Sequence, residues 1–324
     1  MEAKYDVQLM VNVAQMYYID GLKQEDIAKQ LQISRSLISM ILTEAKEVGI
    51  IEINIRNPLL NNEDLANEIK SLFGLSECVI VPTAVQDSNT LRKLIAQRTT
   101  DIFNTEIQNG DTVGLDWGRT CYEFVSYYKP DQLLKGTSII PLIGGSNQNA
   151  PYFQLNEMVR LFAEKLNGSP YFIHAPALTS SYDEQELFLK SPSMQAILEK
   201  WDHVDIVVAS IGTLPDLSID RETYAGEYEI FEKLRNEAAV GDICARYFNL
   251  NGEFIEDEDT DRIIAIPLKG LQNAKKVIGL ASGLEKERSV LGALRTGILD
   301  VFVSDEQTAK AVLKLYRQQK AANI

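Results

Sequence analysis

Histidine and cysteine are scarce in this chain, and basic charge is outweighed. Its 324 residues include two histidines, His174 and His203, and three cysteines, Cys78, Cys121 and Cys244, with no CxxC pair. That excludes a disulfide framework and a cysteine zinc site, and it fits a reducing, cytoplasmic setting. Two histidines far apart in sequence leave little room for His-based metal or triad chemistry, so no metal and no cofactor is expected. No apolar run reaches the length of a membrane span, and the charged start Met1-Glu2-Ala3-Lys4 is unlike a signal peptide. The net charge of -14 argues against a general nucleic-acid coating protein. It leaves open a sequence-specific reader, which needs only a few well-placed bases. Residues 1–57 hold six bases and eight acids, so most of the acidity lies downstream.

What the chain does contain is two kinds of pattern. Apolar residues at helical spacing run through residues 6–20 and stop at Gly21. A short helix is expected from Gln24 to Leu31, then a tight turn, then a longer helix from Ser34 to Val48 closed by Gly49. "IIEINIR" alternates apolar and polar residues, as a half-buried strand does, and could form one side of a small wing. "RNPLLNNED", with Pro58 and three asparagines, reads as a linker. The expected division is a reading domain over 1–57, a linker over 58–64 and a large domain over 65–324. In the large domain, short apolar strands ("CVIVP", "TVGLDW", "SIIPLIGG", "PYFIHAP", "DIVVASIG", "RIIAIPL", "KVIGLASG", "DVFVSD") alternate with helical stretches. That grammar predicts an α/β fold with a mostly parallel sheet covered on both faces.

Gln24 to Leu42 has what a helix-turn-helix requires. Ala28 is small where two helices must cross, and Ile27, Leu31, Ile33, Ile38, Ile41 and Leu42 supply the apolar face. Ser34 suits the N-cap of the second helix. The exposed start of that helix offers Ser34, Arg35, Ser36 and Ser39 for phosphates and base edges in a major groove of double-stranded operator DNA. The bland alternative is an ordinary three-helix bundle.

In open α/β sheets ligands bind beyond the carboxyl ends of strands. Three loops fit. "LDWGRTCYEF" carries Gly118, Arg119 and Thr120 into a helix start, where an anion is favoured. "PLIGGSN" places Gly144 and Gly145 after a strand, and "LASGLEKERS" places Lys286 at another helix start. Together they suggest a phosphorylated small molecule. His174 is expected to be hydrogen-bonded in a core or pocket wall and His203 to be structural. The acidic run Glu256 to Asp261 lacks the glycine and terminal glutamate of an EF-hand loop and reads as solvated.

"QEDIAKQLQISRSLISMILTEAKEVGIIEINI" resembles the opening module of the SorC-type sugar-binding transcriptional regulators. The resemblance continues through "GDTVGLDWGRT", "PLIGG", "GDICARYFNLNGEFI" and "IGLASGLEKERSVLGALRTGILDVFVSDEQTAKAVL", in family order. It implies an effector domain similar in fold to sugar-phosphate isomerases, a phosphorylated sugar as effector, and a homodimer or homotetramer. Carried over by motif, Gly118 to Thr120 and Lys286 would hold phosphate, and Gly144 and Gly145 would shape the pocket. Asp242 and Asn249 would meet hydroxyls or form turns. The chain departs from the family at Gln32, Leu37, Met40, Asn249 and Ser282. An alternative is a sugar-phosphate isomerase or deaminase with an added helical module. Asp116 and Asp205 near strand ends would supply its carboxylates, although neither has a recognisable acid partner. A third reading is a protein-binding scaffold.

Overall fold

The computed structural model describes residues 4–51, 62–83, 87–215, 228–256 and 260–322. The chain forms two compact units, Met1–Leu59 and Leu60–Ile324.

In the first unit α1 (Val7–Ala14) opens on Asp6, whose carboxylate accepts the Leu9 amide at 3.0 Å. It runs on into a π turn, Gln15–Ile19, where the Asp20 amide reaches back to the Gln15 carbonyl at 3.0 Å. The expected single helix over 6–20 is thus wound more widely in its last turn. α2 (Gln24–Leu31) and α3 (Arg35–Glu47) follow. The turn between them puts Gln32 at φ 55°, a left-handed position where glycine or asparagine is usual. Ser34 caps α3 by accepting the Leu37 amide at 3.1 Å. Ile38, Ile41, Leu42 and Ala45, spaced for one helical face, close on Met10, Val13, Ile27 and Ala28. The strand expected over Ile51 to Arg56 lies outside the described residues except for buried Ile51.

The second unit is built on a parallel sheet. Its strands are β1 (Glu77–Val81), β2 (Thr112–Leu115), β3 (Ser138–Pro141), β4 (Ser169–Pro170), β5 (Ile206–Gly212), β6 (Ala239–Ile243), β7 (Arg246–Asn249), β8 (Lys276–Leu280) and β9 (Val301–Asp305). The order is β1-β9-β8-β5-β2-β3-β4, and all these neighbours run parallel. β6 joins the end of β5 antiparallel, and β7 returns beside β6 as a hairpin. The helices are α4 (Glu63–Phe73), α5 (Ser88–Glu106), α6 (Arg119–Tyr127), α7 (Leu155–Leu166), α8 (Tyr182–Leu189), α9 (Pro192–Trp201), α10 (Tyr228–Asn236), α11 (Leu268–Asn273), α12 (Glu287–Arg295) and α13 (Glu306–Ala322). α4 begins within the stretch read as linker, at Glu63. β2, β3 and β9 are buried along their whole length and β5 along nearly all of it, which requires cover on both faces. Phe103 of α5, Phe124 of α6, Phe162 of α7 and Tyr128 lock three helices together, with ring centroids 4.8 to 5.6 Å apart. Burying each such ring is worth roughly 2–3 kcal/mol.

Two expected strands are not regular ones. "PYFIHAP" contributes Pro170 to β4 and an isolated bridge at Pro176, and "RIIAIPL" makes isolated bridges. Its residues 263–266 lie between the continuation of β3 and residues 177–178: Gly144 donates to Ile264 at 2.8 Å, and Ile264 donates to Ala177 at 2.8 Å. The chain leaves β2 for β3 and β4 on one side, then returns through β5 to β8 and β9 on the other. The crevice at the carboxyl ends of β2 and β5 is therefore the topological switch point, where open α/β sheets bind ligands.

Candidate functional site

Each unit carries its own candidate site. In the first, α3 presents Arg35, Ser36, Ser39, Met40 and Thr43 to solvent while its other face is buried. All four residues expected to touch DNA are exposed. Ser34 is engaged as the cap, and it also lies 2.9 Å from the Ser36 hydroxyl. The Arg35 guanidinium sits 3.7 Å from the Glu25 carboxylate, with both side chains about two-thirds exposed at 68% and 65%. Such an exposed pair contributes little stability, so Arg35 can exchange Glu25 for a phosphate at small cost. Thr43 was not among the residues expected on this face and Met40 was marked only as a departure from the family, although both continue the exposed stripe that starts at Ser36.

In the second unit the switch point gathers three ionisable side chains, buried Asp116 and half-buried Asp242 and Lys286. Asp116 follows β2 and is 1% exposed. Its carboxylate accepts amides from Trp117 at 2.8 Å, from Ser210 of β5 at 3.1 Å, and from Cys244 at the hairpin tip. Asp242, on β6, accepts the Ala245 amide at 3.1 Å. Cys244 and Ala245 both have positive φ, 52° and 55°, a two-residue turn of the kind that normally demands Asn-Gly. The two carboxylates hold that strained tip in place. Gly212 is needed for this approach, because a Cβ there would lie 2.0 Å from the Asp242 carboxylate. Lys286 comes from the loop before α12 and donates to the Ile211 carbonyl at 2.7 Å.

Burial, and then the charge of Asp242, push the Asp116 carboxyl well above the usual range, while its three amide donors oppose the shift. Burial likewise raises Asp242 from 3.8 to about 6, against the pull of the Ala245 amide and Lys286. Lys286 is lowered by burial, with Asp242 holding it up. Between 3.8 and about 6 the folded chain keeps a proton on Asp242 that the unfolded chain has released, so this group makes stability fall as pH rises through that window. Asp242→Asn should flatten the fall between about pH 5 and pH 6, read from urea midpoints across the range. An unchanged slope would mean that Asp242 does not titrate there.

Among the other expected residues, Gly118 adopts φ 116°, open essentially to glycine alone, and a Cβ would press on Ser210 Oγ at 2.7 Å. Its amide donates to the Tyr152 carbonyl at 2.8 Å and so is already engaged. Arg119 is exposed and lies on the Tyr152 ring, 5.1 Å from its centroid. Thr120 is buried in the first turn of α6, a helix with no side-chain cap, so its first amides point toward the switch point's rim. Gly118 to Thr120, Asp242 and Lys286 all belong to elements that end at this crevice. Gly144, Gly145 and Asn249 are engaged by the chain itself, Asn249 in the turn that was one of its two expected roles. Gly144 and Gly145 offer no free amide, because they donate to Ile264 and Ala175, each at 2.8 Å. Gly144 is small because a Cβ would meet the Pro176 carbonyl at 2.4 Å. Asn249 is taken up by its own turn, its oxygen accepting the Asn251 and Glu253 amides and its nitrogen meeting the Glu253 carboxylate at 2.7 Å.

Asp205 sits at the amino end of β5, accepting the Thr112 amide at 2.7 Å and pairing with Lys275 at 2.6 Å. It is thus at the opposite end of the sheet from Asp116 and cannot share a substrate with it. His174 is exposed rather than lining a core, 6.5 Å from the Phe172 ring, and His203 is exposed after α9. Of the acidic run, residues 257–259 lie outside the described residues. Among the described residues no cluster of His, Cys, Asp and Glu is arranged to hold a metal ion, and no helix is long and apolar enough to cross a membrane.

Residues 57–314 match the family model of a sugar-binding domain, Sugar-bind. The chain is 29% identical over 307 residues to the deoxyribonucleoside regulator of Bacillus subtilis (strain 168), covering 94% of this chain and 97% of that protein. It is 27% identical over 317 residues to the sorbitol operon regulator of Klebsiella pneumoniae, covering 97% of this chain and all of that protein, 100%. The crystal structure of the full-length sorbitol operon regulator SorC from Klebsiella pneumoniae superposes with a TM-score of 0.80 at 27% identity, covering 96% of this chain and 99% of the other. These similar proteins are regulators of transcription, not enzymes. Helix-turn-helix pattern, parallel sheet with a charged switch point, and a match along nearly the whole length agree: the chain belongs to the SorC-type family of sugar-binding transcriptional regulators.

Proposed function

We propose that this chain is a cytoplasmic DNA-binding regulator whose operator affinity is set by a small phosphorylated sugar at the switch point of its sheet. The observation that carries the effector reading is Lys286, a half-buried ammonium at the strand ends that donates to the Ile211 carbonyl, feels the charge of Asp242 and lies near the uncapped start of α6. Cation and helix start suit a phosphate, and Asp242 suits hydroxyl groups. The first unit, residues 1–57 in the sequence reading, serves as the DNA reader, and residues 65–324 bind effector and join copies into a homodimer or homotetramer. One helix-turn-helix buries too little surface for tight operator binding, so two reading heads acting together are needed. The effector acts by its differential affinity for the DNA-competent and DNA-incompetent arrangements. The isomerase reading loses support because the buried Asp116 carboxyl is already engaged by three backbone amides.

The test is selection of bound duplexes from a random pool, followed by titration of the enriched sequence with a panel of sugar phosphates. An enriched inverted repeat whose affinity shifts with one compound supports the reading, and no enrichment overturns it. On that duplex, Arg35→Ala should weaken binding and flatten the salt dependence by about one unit of slope per phosphate lost. Glu25→Gln should do the opposite on random DNA, because it removes the carboxylate that competes for Arg35. Equal salt slopes for all three proteins would show that Arg35 meets no phosphate.

A further inference from the structure

On the β6–β7 hairpin, backing onto the turn at Ala245, lies a cavity of about 410 Å³ lined by Arg246, Tyr247, Phe254, Glu256, Thr260 and Leu268, among others. Arg246 is the residue that gives it meaning. Its Nε donates to the Ile266 carbonyl at 2.8 Å and its Nη2 to the Ala265 carbonyl at 2.6 Å. Those two bonds occupy one edge of the guanidinium. The end-on edge, shared by Nη1 and the second Nη2 hydrogen, has neither a hydrogen-bond acceptor nor a carboxylate within 4 Å among the described residues. Burial is the main influence on its charge and disfavours the cation, while Cys244, Glu256 and Asp261 oppose that shift. A guanidinium drawn partly into the protein with no carboxylate in direct contact among the described residues is costly. Two backbone carbonyls satisfy part of it, and the fork left open matches the geometry of a carboxylate.

We infer that this cavity is a second ligand site, in which the open edge of Arg246 takes the carboxylate of a small organic acid. The exposed acids Glu256 and Asp261 at its border oppose a phosphate dianion and favour a singly charged ligand that brings a hydroxyl or ammonium group toward them. The volume is that of a small-metabolite site. Ala245 lines the cavity and also donates its amide to Asp242. A ligand here would therefore rest against the strained turn whose other side belongs to the switch point.

The experiment uses the full-length protein and acetate as the probe, titrated to about 100 mM at constant ionic strength in chloride, with the thermal midpoint as readout. A bound carboxylate raises the midpoint by about 3 °C at tenfold excess over its dissociation constant. The rise should disappear in Arg246→Gln. That variant also loses the strap on Ile266 and Ala265 and could fail to fold. Leu268→Trp, which fills the cavity from its wall and leaves the strap intact, should abolish the rise on its own. The rise should persist in Lys286→Met. No rise in the unmodified protein overturns the site, and so does a rise that survives Leu268→Trp. A rise lost in Lys286→Met assigns the anion to the switch point instead. Stabilisation by inorganic phosphate but not acetate, lost in Leu268→Trp, overturns the carboxylate assignment. None of these outcomes depends on DNA binding, so the inference stands or falls apart from the proposed function.

Discussion

Asp116→Ala should cost the second unit about 3–5 kcal/mol of stability, the largest single effect expected in the chain. Three amides, of Trp117, Ser210 and Cys244, would lose their common acceptor in a place that water cannot reach freely, and each buried unsatisfied donor costs about 1–3 kcal/mol. The left-handed Cys244–Ala245 tip would also lose one of its two anchors. The thermal midpoint of this part of the chain should fall by about 10 °C. Asp116→Asn separates the causes. It keeps the volume but turns an amide nitrogen toward backbone donors, so it should be nearly as damaging. An asparagine variant as stable as the parent would mean that the carboxylate is not the acceptor these amides rely on, and the account of the hairpin would fail with it.

Lys286→Met should abolish the response to a phosphorylated effector while leaving operator binding in its absence unchanged. Methionine replaces the aliphatic stem and removes the ammonium at the switch point. Losing one partner of a buried charge pair costs about 2–5 kcal/mol, and 2.8 kcal/mol already corresponds to a hundredfold. Calorimetry with the sugar phosphate found in the panel should therefore show affinity weaker by about 100-fold or more. The variant also removes the cation that holds Asp242 down, so its acid-side stability profile should shift upward in pH. Undiminished effector affinity would place the phosphate elsewhere and detach Lys286 from the site.

What could be read beforehand follows the range of the forces involved. The helices of the first unit were legible as Gln24–Leu31 and Ser34 to Val48 because their signals are local: a 3.6-residue apolar period, a serine cap, a glycine stop. The alternation that produces a parallel sheet was legible for the same reason, since each strand is a short apolar run. Lys286 and Gly118 to Thr120 stood out because glycines and a lone lysine at strand ends have a chemical use. The role of Asp116 did not, because its partners lie 94 and 128 residues further on, at Ser210 and Cys244. Cys244 and Ala245 carry no turn signature at all; their conformation is imposed by the carboxylates above and below them. "RIIAIPL" and "PYFIHAP" were read as strands because apolar content reports burial, and buried backbone here finds partners singly and not in a ladder. Gly144 and Gly145 looked like a ligand loop for a related reason: glycine permits close approach, and the approaching group proved to be residues 175–177 of the same chain.

The edge of the sheet where β1 pairs with β9 also governs the order in which the molecule can be made. Glu77 lies opposite Val301 and Val81 opposite Asp305, so one of the first strands to be synthesised waits for the last before it has a neighbour. Until then β8 too lacks the partner on its outer side. Closing so long a loop is slow, and an unpaired strand is prone to pair with the wrong chain. A ribosome-bound chain that has emerged only as far as α12 would thus hold the strand-end cluster complete, with Asp116, Asp242 and Lys286 all present, on a sheet still open along one side.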